Sequence, residues 1–493
     1  MRNGFLDGNF APVREELTVT DLRVTGEVPA NLNGRYVRNG PNALAEIDPV
    51  TYEWFSATAM VHGVRLRDGR AEWYRNRWLR TDAVCDSLGE PRRPGPIHAG
   101  IDHAVHTNVI GQAGRTFVIT EGGANPFELT EDLDTVGSCD FDGTLPAGGG
   151  YVSHPHRDPV TGEWHAVSYF GGRANRVHYT VLDTTARIRR SIEIPVDGQP
   201  AMHDFALTEH YIVIYDLPLV VDLRRVAGGL PRPLRRPADA LIPRLVRHGF
   251  VPDPLFAGTL RMLQPNSKHR LPLRWDSSHA ARIGVLPRDG ETQDLRWFDV
   301  EPCHVWHTLN AYEADDTIVI DFVRYPKMYD TDRSWPNPTD GDPTLDRWNI
   351  DLIANKVREE RVDDRPQEFP QVDERVVGRR HRYGYTVGAE RLDPALQTGL
   401  VAHSDTMFKH DFASGATTKR HLGPGTSASE FVFVPSNADG AEDDGVVMGY
   451  VYDAHTDRSD LTMLDAQTLD TVAVVHLPTR VPFGFHGNWL PAP

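Results

Sequence analysis

The stretch Val305-Trp306-His307-Thr308-Leu309-Asn310-Ala311-Tyr312-Glu313, followed by Thr317-Ile318-Val319-Ile320-Asp321-Phe322-Val323, decides how this chain is read. The second run is rich in β-branched residues and bounded by polar text, so it reads as a strand. His307 stands between an aromatic, largely apolar approach and that strand. A buried histidine is more often a satisfied core residue than a ligand, although imidazole is also the commonest metal ligand. Its weight therefore depends on whether the rest of the chain supplies partners.

Outward from this stretch the same strand pattern recurs, at Thr116–Thr120, His165–Phe170, Arg176–Leu182, Tyr211–Tyr215, Ala281–Leu286, Gly445–Tyr452 and Val472–Leu477. Turn clusters such as Asp158-Pro159-Val160-Thr161-Gly162 and Pro287-Arg288-Asp289-Gly290 separate them and predict hairpin connections. Asn33-Gly34 and Asn39-Gly40 predict tight turns near the N-terminus. Strand and turn alternating over 493 residues mark an all-β sandwich array or propeller. No strict repeat of the kelch or WD type is present, so radial repetition does not follow from pattern alone. The rhythm breaks between Leu223 and Arg274, where prolines, leucines and arginines crowd together in a basic excursion. That segment is either a solvated insertion or a surface that meets a membrane or a lipophilic substrate, since Arg with Leu and Phe suits the headgroup boundary.

The formal charge of −17 argues against general affinity for nucleic acid, which needs a basic face. Cys85, Cys139 and Cys303 are odd in number and form no CxxC pair, as expected in a reducing compartment. The first residues lack a hydrophobic signal core, and no run approaches the ~18 to 20 apolar residues of a spanning helix. A cytoplasmic setting is expected.

Three further histidines resemble His307 in context. His154 precedes Pro155 at the end of an extended segment, His203 stands shortly before a hydrophobic strand, and His486 lies between Gly484 and Gly487. Histidines so far apart converge only where a fold brings several strand starts to one axis, as a propeller does. Imidazoles without thiolate suit Zn, Cu, Fe or Ni. Ligand histidines need a partner to fix the tautomer, and Glu121, Glu368 and Glu430 are candidates because each stands in apolar or glycine-rich text. His154 with His156, and His304 with His307, are rejected as local metal pairs, because such spacings arise by chance among 22 histidines. Glu442-Asp443-Asp444-Gly445 lacks the spaced oxygens of a calcium loop.

Taken together, Gly8-Asn9-Phe10-Ala11-Pro12-Val13, Gly34-Arg35-Tyr36-Val37-Arg38-Asn39-Gly40-Pro41-Asn42, the His154-Pro155 turn, Trp306 to Glu313, Glu368-Phe369-Pro370, Glu442 to Gly445 and Phe483-Gly484-Phe485-His486-Gly487 resemble the carotenoid cleavage oxygenases from Gly8 to Pro491. The resemblance implies one seven-bladed β-propeller over residues 1–493, with a helical dome over the metal face to which 223–274 contributes, together with a membrane-facing entrance. It implies a non-haem Fe(II) on His154, His203, His307 and His486, with Glu121, Glu368 and Glu430 orienting the last three in that order and Thr107 crowding one open position of the iron. It further implies a dioxygenase that uses O₂ to split a double bond of a lipophilic polyene, a carotenoid or apocarotenoid, into two carbonyl products. The alternatives are a stilbene-cleaving dioxygenase, whose relatives carry a lysine where this chain has Thr120, and a catalytically silent propeller that binds a lipophile. One departure stands out: Trp54-Phe55-Ser56-Ala57-Thr58-Ala59-Met60 replaces the family's usual Trp-Phe-Asp-Gly-Asp-Gly-Met.

Overall fold

A computed structural model describes residues 3–492, apart from 45, 99–100, 103, 147–149, 170–174, 222–240, 242–272, 329–340 and 390–403. Seven antiparallel sheets succeed one another along the chain and form a seven-bladed β-propeller. The strand predicted from Thr317 is the second strand of blade five, Thr317–Tyr325, between His304–Ala314 and Thr344–Asp351. Its residues from Ile318 to Val323 are all buried, because each blade is covered on both faces by its neighbours. The outermost strand of blade three, Ile188–Pro195, instead alternates between exposed positions and half-buried or buried ones. Inter-blade packing is apolar: Ile283, Val285 and Phe298 of blade four meet Ile318, Phe322 and Trp348 of blade five. Full burial of each such side chain contributes ~1.5 to 3 kcal/mol.

Both ends of the chain close the ring. Gly487–Pro491 adds an innermost strand to blade one by pairing with Gly34–Arg38. Val24–Gly26 adds an outer strand to blade seven by pairing with Thr471–His476. The first and last blades are therefore each completed by the opposite terminus.

The hairpin turns predicted at Asp158–Gly162 and Pro287–Gly290 connect paired antiparallel strands. The turns predicted at Asn33-Gly34 and Asn39-Gly40 are corrected, because Gly34–Pro41 is one continuous strand. These glycines serve close approach. A Cβ on Gly34 would lie 2.4 Å from the Leu490 carbonyl oxygen, and one on Gly40 would lie 2.8 Å from the Gly484 Cα.

In blade four a short hairpin, Leu219–Val221 with Leu273–Trp275, separates the second strand from the third, and the 223–274 excursion leaves from it. Apart from Leu241, Leu273 and Arg274, the excursion lies outside the described residues, as does the helical dome expected from it. Among those described, the one α-helix is Asp82–Leu88, and no helix is long and apolar enough to cross a membrane.

Candidate metal centre

The innermost strands are His156–Arg157, Phe205–Leu207, His304–Ala314, Gln367–Gln371, Val432–Pro435, Gly487–Pro491 and Asn108–Gln112. His154, His203 and His486 each sit one or two residues before such a strand, as do Thr107 and Glu430. Strand starts around a propeller axis share one end, so side chains there converge although their positions in sequence do not.

His307 differs, because it lies inside its strand. Trp306 and His307 together oppose the single residue Val323, between the pairs Val305↔Arg324 and Thr308↔Phe322. This is a bulge, which bends the strand and re-aims a side chain. The expected strand-mouth position of His307 is thereby corrected, since the strand begins at His304. Glu368 is set by a second irregularity: the register shifts between Glu368 and Gln371, and Phe369 adopts a left-handed backbone at φ 51°. Such strain in a non-glycine residue persists only where its surroundings enforce it. The Phe369 ring stacks on His307 at 5.6 Å and meets the edge of His486 at 5.5 Å.

The structure brings the four histidines together, with one ring nitrogen from each within 4.8 Å of the others. The His154 ring centroid lies 4.4 Å from that of His203, 4.3 Å from His486 and 4.9 Å from His307. Nδ1 of His203 is 3.0 Å from Glu121, Nδ1 of His307 is 2.6 Å from Glu368, and Nδ1 of His486 is 3.0 Å from Glu430. An ionised carboxylate only accepts, so each Nδ1 carries the proton and each Nε2 keeps its lone pair.

The glutamates are fixed in turn. Glu121 accepts from the Tyr169 hydroxyl at 3.1 Å and Glu368 from the Tyr325 hydroxyl at 2.8 Å. Glu430 accepts from Gln371 at 2.8 Å and from the Gly487 amide at 3.0 Å. Burial alone would push the Glu368 and Glu430 carboxyls up, but the charge of their histidine partners and their hydrogen bonds hold both below the usual range.

Burial, reinforced by the neighbouring imidazoles, drives His154 well below the ordinary histidine value. Burial acts the same way on His307, but the charge and hydrogen bond of Glu368 outweigh it and leave that imidazole raised. In His486 burial wins over Glu430. Among the described residues, Nε2 of His154 and Nε2 of His307 are buried without a hydrogen-bond partner, each at a penalty of ~1 to 3 kcal/mol. Orphaned lone pairs within such a cluster, with no thiolate nearby, are what a bound cation satisfies, so the residues present fit a transition metal.

Thr107 is buried; its hydroxyl lies 2.9 Å from that of Thr120, and its carbonyl accepts from the His486 amide at 2.9 Å. Thr120 also donates to the Ala104 carbonyl at 3.1 Å, so Thr107 is the donor between the two. The departure at Trp54 to Met60 forms a single helical turn, Trp54–Ser56, with Ala57 at an ordinary φ of −68°. Thr58 anchors it by donating to the Asn42 carbonyl at 2.7 Å, and His106 Nε2, beside Thr107, donates to the Phe55 carbonyl at 2.8 Å. Neither missing glycine is needed for that path.

One residue that sequence reasoning missed is Asp204. It accepts from His156 at 2.8 Å, from the Phe205 amide at 2.7 Å and from the Thr308 amide at 2.7 Å, tying the backbone beside His203 to the backbone beside His307. Its adjacency to His203 was the available signal. A cavity of about 110 Å³ lies on the Thr308 side of the imidazoles, touched by His154, Asp204, His307, Thr308 and Glu430.

Comparison with known proteins decides the family. The sequence model for "Retinal pigment epithelial membrane protein" matches residues 10–491. A "Carotenoid cleavage oxygenase" of Mycobacterium tuberculosis is 50% identical over 497 residues, covering 99% of this chain and 98% of that protein. The chain belongs to the carotenoid cleavage oxygenase family. Within it, a "Carotenoid 9,10(9',10')-cleavage dioxygenase 1" of Pisum sativum is 28% identical, covering 98% of this chain and 89% of the relative. Among solved structures of the family, the Synechocystis apocarotenoid oxygenase superposes with a TM-score of 0.78 at 25% identity, covering 97% of each chain. The lignostilbene dioxygenase of Pseudomonas brassicacearum superposes at 0.80 with 24% identity, covering 99% of this chain and 98% of that one, and shares the fold.

Proposed function

We propose that this protein is an Fe(II)-dependent dioxygenase that cleaves one carbon–carbon double bond of a carotenoid or apocarotenoid into two carbonyl products. The observation that carries the reading is the four-imidazole cluster with three carboxylate-tied members, in a chain half identical to a carotenoid cleavage oxygenase. His154, His203, His307 and His486 would hold the ion through nitrogen. Four neutral donors leave its charge intact and leave an ion of higher coordination number room for O₂. When bound, Fe(II) supplies the O₂ chemistry, and both oxygen atoms are needed for the two new carbonyl groups.

The chain's own groups do the rest. Glu121, Glu368 and Glu430 hold three imidazoles in the tautomer that offers Nε2 and offset the cation's charge. Thr107 has its hydroxyl engaged by Thr120, and we assign its methyl the role of narrowing access to one open position. The stilbene alternative is less well supported, because Thr120 stands where a cation would meet a phenol and its hydroxyl is already engaged. We assign the basic excursion 223–274 a peripheral membrane contact through which the polyene enters. Changing Leu245 and Phe250 to serine is then expected to reduce partitioning onto liposomes, and unchanged partitioning would remove that assignment.

The deciding experiment incubates the iron-loaded protein with β-carotene, apocarotenals and resveratrol and measures product masses. Paired carbonyl fragments from a polyene are expected. Cleavage of resveratrol alone would transfer the protein to the stilbene branch, and no cleavage of any substrate would end the proposal.

A further inference from the structure

Two rings at the start of the blade-five inner strand have buried polar atoms that the cluster does not use. His304 is 1% exposed, and both of its ring nitrogens are buried without a partner among the described residues. The indole Nε1 of Trp306 is likewise buried and unpartnered. Residues two apart on a strand share a face, and the two rings meet edge to face at 4.3 Å and 81°. Trp306 in turn meets His203 at 4.7 Å and 88°. A continuous series of rings therefore runs from the metal cluster through Trp306 to His304.

What sets this pair apart is that three orphaned nitrogens lie on two touching rings next to a cluster residue, each at a penalty of ~1 to 3 kcal/mol. A purely structural position here would be better filled by phenylalanine. Neither ring lines the axial cavity on the Thr308 side. Instead Trp306 packs against the cluster of Ala201, Leu219, Val323, Tyr325 and Met328, of which Leu219 belongs to the strand paired with Leu273–Trp275. The pair thus lies apart from that cavity, with His304 one ring removed from His203. Burial keeps His304 neutral, so it offers one N–H donor and one acceptor, while the indole offers a donor.

We propose that His304, supported by Trp306, is a specificity-determining residue that hydrogen-bonds an oxygen function, aldehyde or hydroxyl, on the polyene close to the bond that is cut. This deepens the proposed function and rests on it. Because His304 is separated from His203 by a single ring, the oxygen it holds lies a few double bonds from the cleaved bond. The preferred substrate is then a shortened, oxygen-terminated polyene. A full-length hydrocarbon places no oxygen there and leaves the three nitrogens unsatisfied.

The test uses metal-free full-length protein, so that binding is read apart from turnover. Quenching of tryptophan fluorescence is titrated with an apocarotenal, the corresponding alcohol and a hydrocarbon polyene, for the parent, His304→Phe and His304→Gln. The expected result is roughly tenfold weaker binding of aldehyde and alcohol by His304→Phe, unchanged binding of the hydrocarbon, and partial recovery in His304→Gln, which keeps a donor and an acceptor. Equal losses for all three ligands, no loss for any, or no preference of the parent for oxygenated ligands would overturn the proposal. Iron-loaded His304→Phe is then assayed for cleavage. If it and the parent both cleave hydrocarbon polyenes while the binding preference is absent, the proposed function stands and the His304 assignment falls. If oxygenated polyenes bind through His304 but nothing is cleaved, the His304 assignment stands and the proposed chemistry falls.

Discussion

Glu368 accepts from the His307 imidazole, the Tyr325 hydroxyl and the Phe369 amide, so truncating it strips three buried donors at once and frees the His307 ring to change tautomer. Glu368→Ala is expected to weaken metal binding roughly 10- to 100-fold, read by competition with a chromogenic chelator, while Glu368→Gln, which keeps an acceptor, falls between. Affinity unchanged in Glu368→Ala would mean that the carboxylate does not orient the ligand. Asp204 is a matching case without direct access to the cluster atoms. Asp204→Asn leaves one acceptor oxygen facing donors formerly shared by two, and is expected to lower stability by about 2 to 3 kcal/mol in urea. The glutamates stood out in sequence as carboxylates in apolar or glycine-rich text, but which histidine each one meets was legible only through family resemblance. Asp204 and the His304–Trp306 pair were not legible, because their meaning lies in backbone amides and missing partners that only the folded chain displays.

At the scale of elements, strands rich in β-branched and aromatic residues were read closely. Arg176–Leu182 has the bounds the sequence predicted, and Trp164–Tyr169 and Thr471–His476 are displaced by one residue. Bulges were not legible, because Trp306-His307 and Glu368-Phe369 carry no residue that marks an inserted position. Ring closure also escaped sequence reading: it joins Gly34–Arg38 to Gly487–Pro491 across nearly the whole chain. The Asn-Gly pairs there look like turns, but glycine is present because another backbone occupies the Cβ space. Gly34→Ala would place a carbon 2.4 Å from the Leu490 carbonyl oxygen and 2.8 Å from the Pro491 Cα. It is expected to cost about 1 to 3 kcal/mol and to lower the melting temperature. An unaltered melting temperature would show that the closing strand yields freely.

For the molecule as a whole, several histidines are buried in neutral form, which couples stability to pH. Burial first, then the charge of Arg288, lowers His165 to about 3, and burial lowers His410 to about 4. The Arg288 guanidinium donates to His165 Nε2 at 2.7 Å while Nδ1 faces the Tyr179 hydroxyl at 2.7 Å, a pattern only the neutral ring satisfies. In the unfolded chain both titrate near 6.5, so between that value and about 4 the unfolded state binds more protons. Stability is therefore full above about pH 6.5 and falls with decreasing pH, by up to about 1.4 kcal/mol per pH unit for each group. Urea midpoints are expected to drop steadily between pH 7 and pH 4.5, with a shallower slope in His165→Gln. A flat profile would show that these imidazoles protonate without unfolding.

An all-β sandwich array or propeller was legible from alternation and length, whereas the choice of a propeller and its number of blades entered through resemblance, because the blades share no repeated motif. Seven sheets bring four imidazoles, distant in sequence, to one site that fits a metal ion. Metal analysis after anaerobic reconstitution with Fe(II) tests this most directly. The account predicts about one iron per chain, with binding severely weakened in His307→Ala while the fold is retained by circular dichroism; zinc alone, no retained metal, or iron held equally well by His307→Ala would contradict it.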